Sequence, residues 1–280
     1  MSTAFSINNN SAASDILANL NYVQNQINSS YSQLSSGNRI NGAASDPAGY
    51  AISQQMTSQV NGLNQATQNA QNGISLIQTA SGAMNQVENI LQTMNTLAVE
   101  ASNGTQSSTD LQNLQQEMTA LTAQIDNIGQ QTQFNGTSIL SGSTAVAVSG
   151  IVFQVGAQTG QTLTLTIATI SSLSLGVAVG SIGISTQASA LAAISIVQQA
   201  ITSLSAFQAN IGAVQDQLNY TVSNLQNSAQ NLQNAESAIT NTNMASAYTQ
   251  FTQQQVLSQV GLAMLGQAQQ QPAAILKLLS

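Results

Sequence analysis

Few groups in this sequence could carry out covalent or proton-transfer chemistry, and their spacing limits what they can do. Asp110 and Glu117, and Glu88 and Glu100, are the carboxylate pairs that could be imagined as a general acid and base. Such work needs the two groups to converge in a pocket beside a substrate or cofactor. No cofactor motif or pocket signal accompanies either pair. With no His and no Cys, the usual general base, zinc ligation, thiol nucleophiles and a disulfide framework are all removed. No catalytic residue, no cofactor-binding residue and no metal site is expected, and the chain reads as a non-enzyme.

Arg39 and Lys277 are the only basic residues, against nine acidic ones, for a net charge of −7. Arg39 and Asp46 stand seven residues apart among Gly37, Gly42, Pro47 and Gly49, where a helix must break. One reading makes them a salt bridge that fixes a domain junction. The other leaves two solvated charges worth about 0–1 kcal/mol. Asn103-Gly104-Thr105 and Asn135-Gly136-Thr137 match the glycosylation sequon but read better as turns.

Charged residues make up 4% of the 280, where roughly a quarter is usual. Asn, Gln, Ser and Thr carry the polarity instead. Two cations form no basic patch, so no nucleic-acid partner is expected. Met1 to Leu20 lacks a basic region followed by an apolar run, so it is no Sec-type signal. No stretch approaches the 18 or so apolar residues of a membrane span, and no membrane partner is expected.

The elements that position these groups are set by a seven-residue apolar repeat. Ile16, Leu20, Val23, Ile27 and Leu34 form a narrow stripe on a helix over residues 12 to 35. Met56, Leu63, Ala70, Ile77, Met84, Leu91 and Ala98 continue in strict sevens, a helix of about 50 residues and ~75 Å. Their companions Val60 and Ile74, then Val87 and Met94, change offset after Met84, which predicts a local irregularity in the seam. Gly62, Gly73 and Gly82 each weaken that helix by up to about 1 kcal/mol, so tertiary packing must hold it. After the Asn103-Gly104 turn, Ser108, Thr109 and Asp110 are cap candidates for a helix striped by Leu111, Leu114, Met118, Leu121, Ile125 and Ile128.

From 144 to 188 the period falls to two. Phe153 and Val155 precede a Gly156 to Gly160 turn, and Leu163, Leu165 and Ile167 alternate with Thr162, Thr164 and Thr166 beyond it, a β-hairpin pattern, with a Gly/Ser-rich loop or short strand after Ser171. Leu204, Ile211, Leu218, Leu225, Leu232 and Ile239 then restore the sevens on a second very long helix. Past Asn241 to Asn243, Phe251, Val256, Val260 and Met264 form a separate stripe that ends before Pro272. The predicted fold is mainly α: a long antiparallel helical bundle or coiled coil, with paired terminal helices and a small β-hairpin insertion. Its bundle core should include Leu63, Leu91, Leu218 and Leu225. Its terminal stripes, Ile16, Leu20, Val23, Ile27 and Leu34 with Phe251, Val256, Val260 and Met264, should be a self-assembly interface, because each leaves an apolar face that only a partner can bury. The methionines Met56, Met84, Met94, Met118 and Met264 read as stripe residues.

Leu34 to Ser53, LSSGNRINGAASDPAGYAIS, resembles the amino-terminal signature of bacterial flagellins, and Leu97 to Thr105 and Gln131 to Gly136 continue the match. Asn210 to Gln215, Asn224 to Asn227 and Gln253 to Leu279 resemble the carboxy-terminal half. The resemblance spans most of the chain and is weaker only across the hairpin. It implies a filament subunit, secreted to an extracellular flagellum as a homo-polymer, in a minimal form without variable outer domains. By the same resemblance the parts would be an inner filament core domain (1–41 and 241–280), a helical bundle domain (42–143 and 189–240) and the hairpin region (144–188). The flagellar export apparatus, a flagellin chaperone and the filament cap would be partners. Ser45 stands where the family commonly has a first acid before Asp46. Thr93, Thr96 and Leu121 replace charged residues of the family's receptor-recognition stretch, beside Leu97 and Glu117, so the resemblance gives no expectation of recognition by the animal innate receptor.

A hook-filament junction protein shares such terminal helices, and an amphipathic surface-coating protein or adhesin is the reading from a different class. The narrow seams favour helix partners over either surface. The scarcity of charge suggests a filament little changed by acid, as in an acidophile.

Overall fold

The computed structural model describes residues 10–141 and 150–279, the last nine by backbone course alone. The beginning of the expected hairpin region, residues 144–149, lies outside the described residues, as does the Lys277 side chain. Among the described residues five helices carry the fold: α1 (Ser11–Ser36), α2 (Pro47–Ala101), α3 (Ser108–Gln131), α4 (Gln187–Thr240) and α5 (Met244–Leu279). Two small antiparallel ribbons join them, β1 (Gln133–Phe134) with β2 (Thr137–Ser138), and β3 (Ile151–Gln154) with β4 (Thr162–Leu165).

Local chemistry sets the helix ends. The Asn10 side chain accepts from Ala13 N at the start of α1, and Gly37 ends it at φ 74°, a conformation that favours glycine. Asp46 Oδ1 accepts from Gly49 N at 3.0 Å, which caps α2 with Pro47 as its first residue. The cap of α3 is Ser107, one residue before the expected candidates. Its hydroxyl accepts from Asp110 N while the Asp110 carboxylate accepts from Ser107 N, a reciprocal box. In the β1–β2 turn Asn135 and Gly136 have φ of 50° and 76°, the twist that a two-residue hairpin requires.

The chain divides into two compact units, residues 1–58 with 231–280, and residues 59–230. In the second, the α2 seam runs through Ala66, Ala70, Gly73, Ile77, Ala80, Met84, Val87, Leu91, Met94, Ala98 and Ala101 without a break in its alternating steps of four and three. The irregularity expected after Met84 does not occur. Ala66, Gly73 and Ala80 hold seam positions that apolar periodicity overlooks because their side chains are small. Gly73 sits on the seam for a steric reason: a Cβ there would stand 3.2 Å from the Phe153 ring and 3.3 Å from Leu218 Cδ1.

On α4, Ala190, Ala193, Val197, Ala200, Leu204, Ile211 and Leu218 join this core, and Met118 and Ile125 join from α3. The β3–β4 register pairs Ile151 with Leu165 and Phe153 with Leu163. The segment after Ser171 forms turns and no strand. It is fixed to α3 by Asp126, which accepts from Ser172 N and Oγ at 2.7 and 2.8 Å, and by Gln115, which accepts from Ile184 N at 2.6 Å. Its own Leu175, Val177, Ile182 and Ile184 are buried.

Mean hydropathy picks out one helix that a search for a continuous apolar run passes over. An 18-residue window of α4 reaches a mean hydropathy of 1.5, apolar enough by composition and length to cross a bilayer. Its alanines, valines and isoleucines raise the average although no continuous apolar run exists, and one face of α4 is spent on the bundle core.

Candidate self-assembly surface

In the first unit α1 and α5 pair antiparallel. Ser30 Oγ donates to Gln254 Oε1 at 2.9 Å, and Asn10 Nδ2 donates to the Ala268 carbonyl at 2.9 Å. On α1 the stripe read from the repeat, Ile16, Leu20, Val23, Ile27 and Leu34, is half-buried, and Ala13, Gln26, Ser30 and Gln33 are half-buried or buried beside it. This face lies against α5 of the same chain.

The carboxy-terminal stripe is a different case. The α5 positions turned toward α1 are Ala247, Phe251, Gln254, Ser258, Gly261, Leu265 and Ala268, again in alternating steps of four and three. Of the four predicted residues only Phe251 lies on that face. Val256, Val260 and Met264 are 57%, 52% and 56% exposed, and Leu257 stands beside them at 50%. Phe251 and the other three therefore belong to two faces rather than to one stripe. Gln253, Gln255, Gln259 and Gln267 border the outward group. A contiguous apolar patch with a polar rim is the composition of a protein-binding surface. Sequence reasoning missed Gly261, Ser258, Leu265 and the two alanines. Their regular spacing was the available signal, hidden because all but Leu265 have small or polar side chains.

Arg39 and Asp46 make no ion pair. The Arg39 guanidinium donates to the Ile239 carbonyl at 2.7 Å, and Arg39 N donates to the Thr240 carbonyl at 2.7 Å. Thr242 N donates in turn to the Gly37 carbonyl at 3.0 Å, and Asn38 bridges Asn241. Arg39 thus ties the α1–α2 loop to the carboxyl end of α4, where a cation complements the helix dipole. Asp46 is occupied as the α2 cap.

In the second unit Leu91 and Leu218 are fully buried and Leu225 nearly so. Leu63 is half-buried and, with Val155, Tyr220 and Leu225, lines an open groove between α2, α4 and the hairpin. The carboxylates first considered for chemistry are engaged structurally or exposed. Glu88 accepts from Gln92 and Gln208, Asp110 is in its cap, and Glu117 and Glu100 are exposed. Hydrogen bonds from Ser107 hold the Asp110 carboxyl below its ordinary range.

Residues 7–145 match the bacterial flagellin N-terminal helical region, and residues 194–279 match the bacterial flagellin C-terminal helical region. The chain is 40% identical to the flagellin of Bacillus subtilis (strain 168), across 98% of this chain and 99% of that protein. Among solved structures, Bacillus cereus flagellin superposes with a TM-score of 0.50 at 31% identity, covering 56% of this chain and 88% of that one. A protein described as flagellar hook-associated, from Vibrio parahaemolyticus, superposes with a TM-score of 0.58 over 70% of this chain and 100% of that one. At 12% identity the last likeness is one of fold alone.

Proposed function

This chain belongs to the bacterial flagellin family, and from that premise we propose how its segments divide the work of building a filament. It is a structural subunit of the extracellular flagellar filament that polymerises with copies of itself, and it is not an enzyme. The near-complete coverage of a full-length relative fits a minimal member without a large outer domain.

The outward apolar face of α5 carries the proposal. Val256, Leu257, Val260 and Met264 each leave about half their surface in water although the other face of α5 is already covered by α1. Full burial of a side chain of this size is worth about 1.5–3 kcal/mol, so covering the exposed half of each is worth about 1 kcal/mol. In this reading the face meets neighbouring subunits in the inner layer formed by residues 1–41 and 241–280. Residues 42–143 and 189–240 form the surrounding layer, with the 144–188 hairpin region on it. Arg39, seated on the end of α4, holds the junction between the layers, and Asp46 begins the outer helix. The export apparatus, a chaperone and the filament cap would then be its partners before and during assembly.

The test is Val260→Asp in the full chain, followed by polymerisation and electron microscopy. The expected result is a helical, soluble subunit that adds poorly to filament seeds, with Val260→Leu assembling normally. Long filaments from Val260→Asp would refute the assignment of this face. Short rings from the unaltered chain, in place of filaments, would favour the hook-junction reading.

A further inference from the structure

The sequence contains five Asn-Gly pairs: Asn41-Gly42, Asn61-Gly62, Asn72-Gly73, Asn103-Gly104 and Asn135-Gly136. Asparagine followed by glycine is chemically labile, because the glycine backbone nitrogen can reach the asparagine side-chain carbonyl carbon with no Cβ in the way. We infer that Asn103 is the site at which this protein ages by deamidation, and that the fold protects the other four.

The reaction balances with water alone. The deprotonated Gly104 nitrogen attacks Asn103 Cγ, the bond from Cγ to the side-chain nitrogen breaks, and ammonia leaves as a proton is returned to it. The resulting five-membered imide takes up one water at either carbonyl, giving aspartate or isoaspartate. No oxidant, metal or enzyme takes part.

Geometry singles out one pair. Asn61 and Asn72 lie inside α2, where the following glycine N–H is held by a helical carbonyl and the chain cannot adopt the cyclic geometry without opening. Asn41 is fixed by its side chain: Nδ2 donates to Ser32 Oγ at 2.9 Å and Oδ1 accepts from Ser36 Oγ at 2.7 Å. Asn135 is locked at φ 50° in a two-residue turn, between paired Phe134 and Thr137. Asn103 and Gly104 are exposed and lie past the end of α2. Among the described residues the side-chain amide of Asn103 makes no hydrogen bond. A Cβ on Gly104 would find only Gln187 Nε2, at 3.9 Å, so the ring has room to form.

The product matters because charge is scarce. A carboxylate at Asn103 appears beside the last carbonyls of α2, where Asn103 N already donates to the Glu100 carbonyl, and negative charge is unfavourable at that end of a helix. The α2–α3 turn should therefore loosen as the protein ages. Isoaspartate adds a methylene to the backbone there as well.

The experiment incubates the full chain, folded and in urea, at mildly alkaline pH, with peptide mapping by mass spectrometry and isoaspartyl methyltransferase labelling. In urea all five pairs should react at comparable rates. In the folded chain Asn103 should lead Asn61 and Asn72 by about tenfold or more, because helical sites must open first. Gly104→Ala, in an exposed turn, should slow the reaction at Asn103 only. The inference is overturned if Asn41 or Asn135 leads in the folded chain, if the helical pairs keep pace, or if Asn103 stays intact while the unfolded chain reacts.

Discussion

Leu20 of α1 lies directly on Gly261 of α5: a Cβ built on that glycine would stand 2.9 Å from Leu20 Cδ1. The glycine is a hole for the leucine knob, and it allows the two terminal helices to approach closely. Gly261→Ala should change stability little. The gain in helix propensity, up to about 1 kcal/mol, is offset by a small shift of the flexible leucine tip. Gly261→Val overfills the hole and should cost about 1–3 kcal/mol. Thermal unfolding of the two variants followed by circular dichroism would show this split, and equal midpoints would mean that the seam is misassigned.

Bundle substitutions should fall in an order set by burial. Leu91→Ala and Leu218→Ala remove fully buried side chains and should each cost about 2–5 kcal/mol. Leu63→Ala should cost less, because Leu63 borders an open groove that water can enter. Urea denaturation of the three single variants gives the ranking directly. A Leu63 loss as large as that of Leu218 would contradict it.

Arg39 and Asp46 should act independently. Asp46→Ala removes a helix cap, at a cost of about 0.5–2 kcal/mol. Arg39→Ala removes a cation from the end of α4, at a cost of about 0.3–1 kcal/mol. With no ion pair between them, a double-mutant cycle should give a coupling within about 0.5 kcal/mol of zero. A larger coupling would restore the salt-bridge reading.

The α3 cap makes a pH prediction of definite sign. The Asp110 carboxyl is depressed in the folded chain by its hydrogen bonds from Ser107, so its stabilisation is present above the ordinary carboxylate pKa and is lost as pH falls through the lowered one. Amide exchange at residues 107–112 should show loosening of this turn in acid, and Asp110→Asn should remove the pH dependence. Elsewhere amides and hydroxyls make most of the side-chain hydrogen bonds among the described residues. With all nine acids protonated the net charge moves from −7 to only about +3, counting Arg39, Lys277 and the amino terminus. Filaments should therefore keep their length from neutral pH to about pH 2. Electron microscopy beside a charge-rich flagellin checks this, and loss of both at the same pH would remove the case for acid tolerance.

Sequence alone determined the helices, their order, the presence of the hairpin and the inward face of α1. All of these follow from periodicity, and a seven-residue repeat or a strict alternation survives any tertiary context that buries one face. It did not determine the seam of α2 at Gly73 and Ala80, the partner of Arg39, or the covered face of α5. The reason is physical and is clearest on α5. Apolar side chains mark a face that will leave water somewhere, but they do not say against which partner. Tertiary structure gave the intramolecular contact to Ala247, Gly261 and Ala268, because close approach of α1 needs small side chains where Leu20 must fit. The more apolar face, Val256, Val260 and Met264, was left outward.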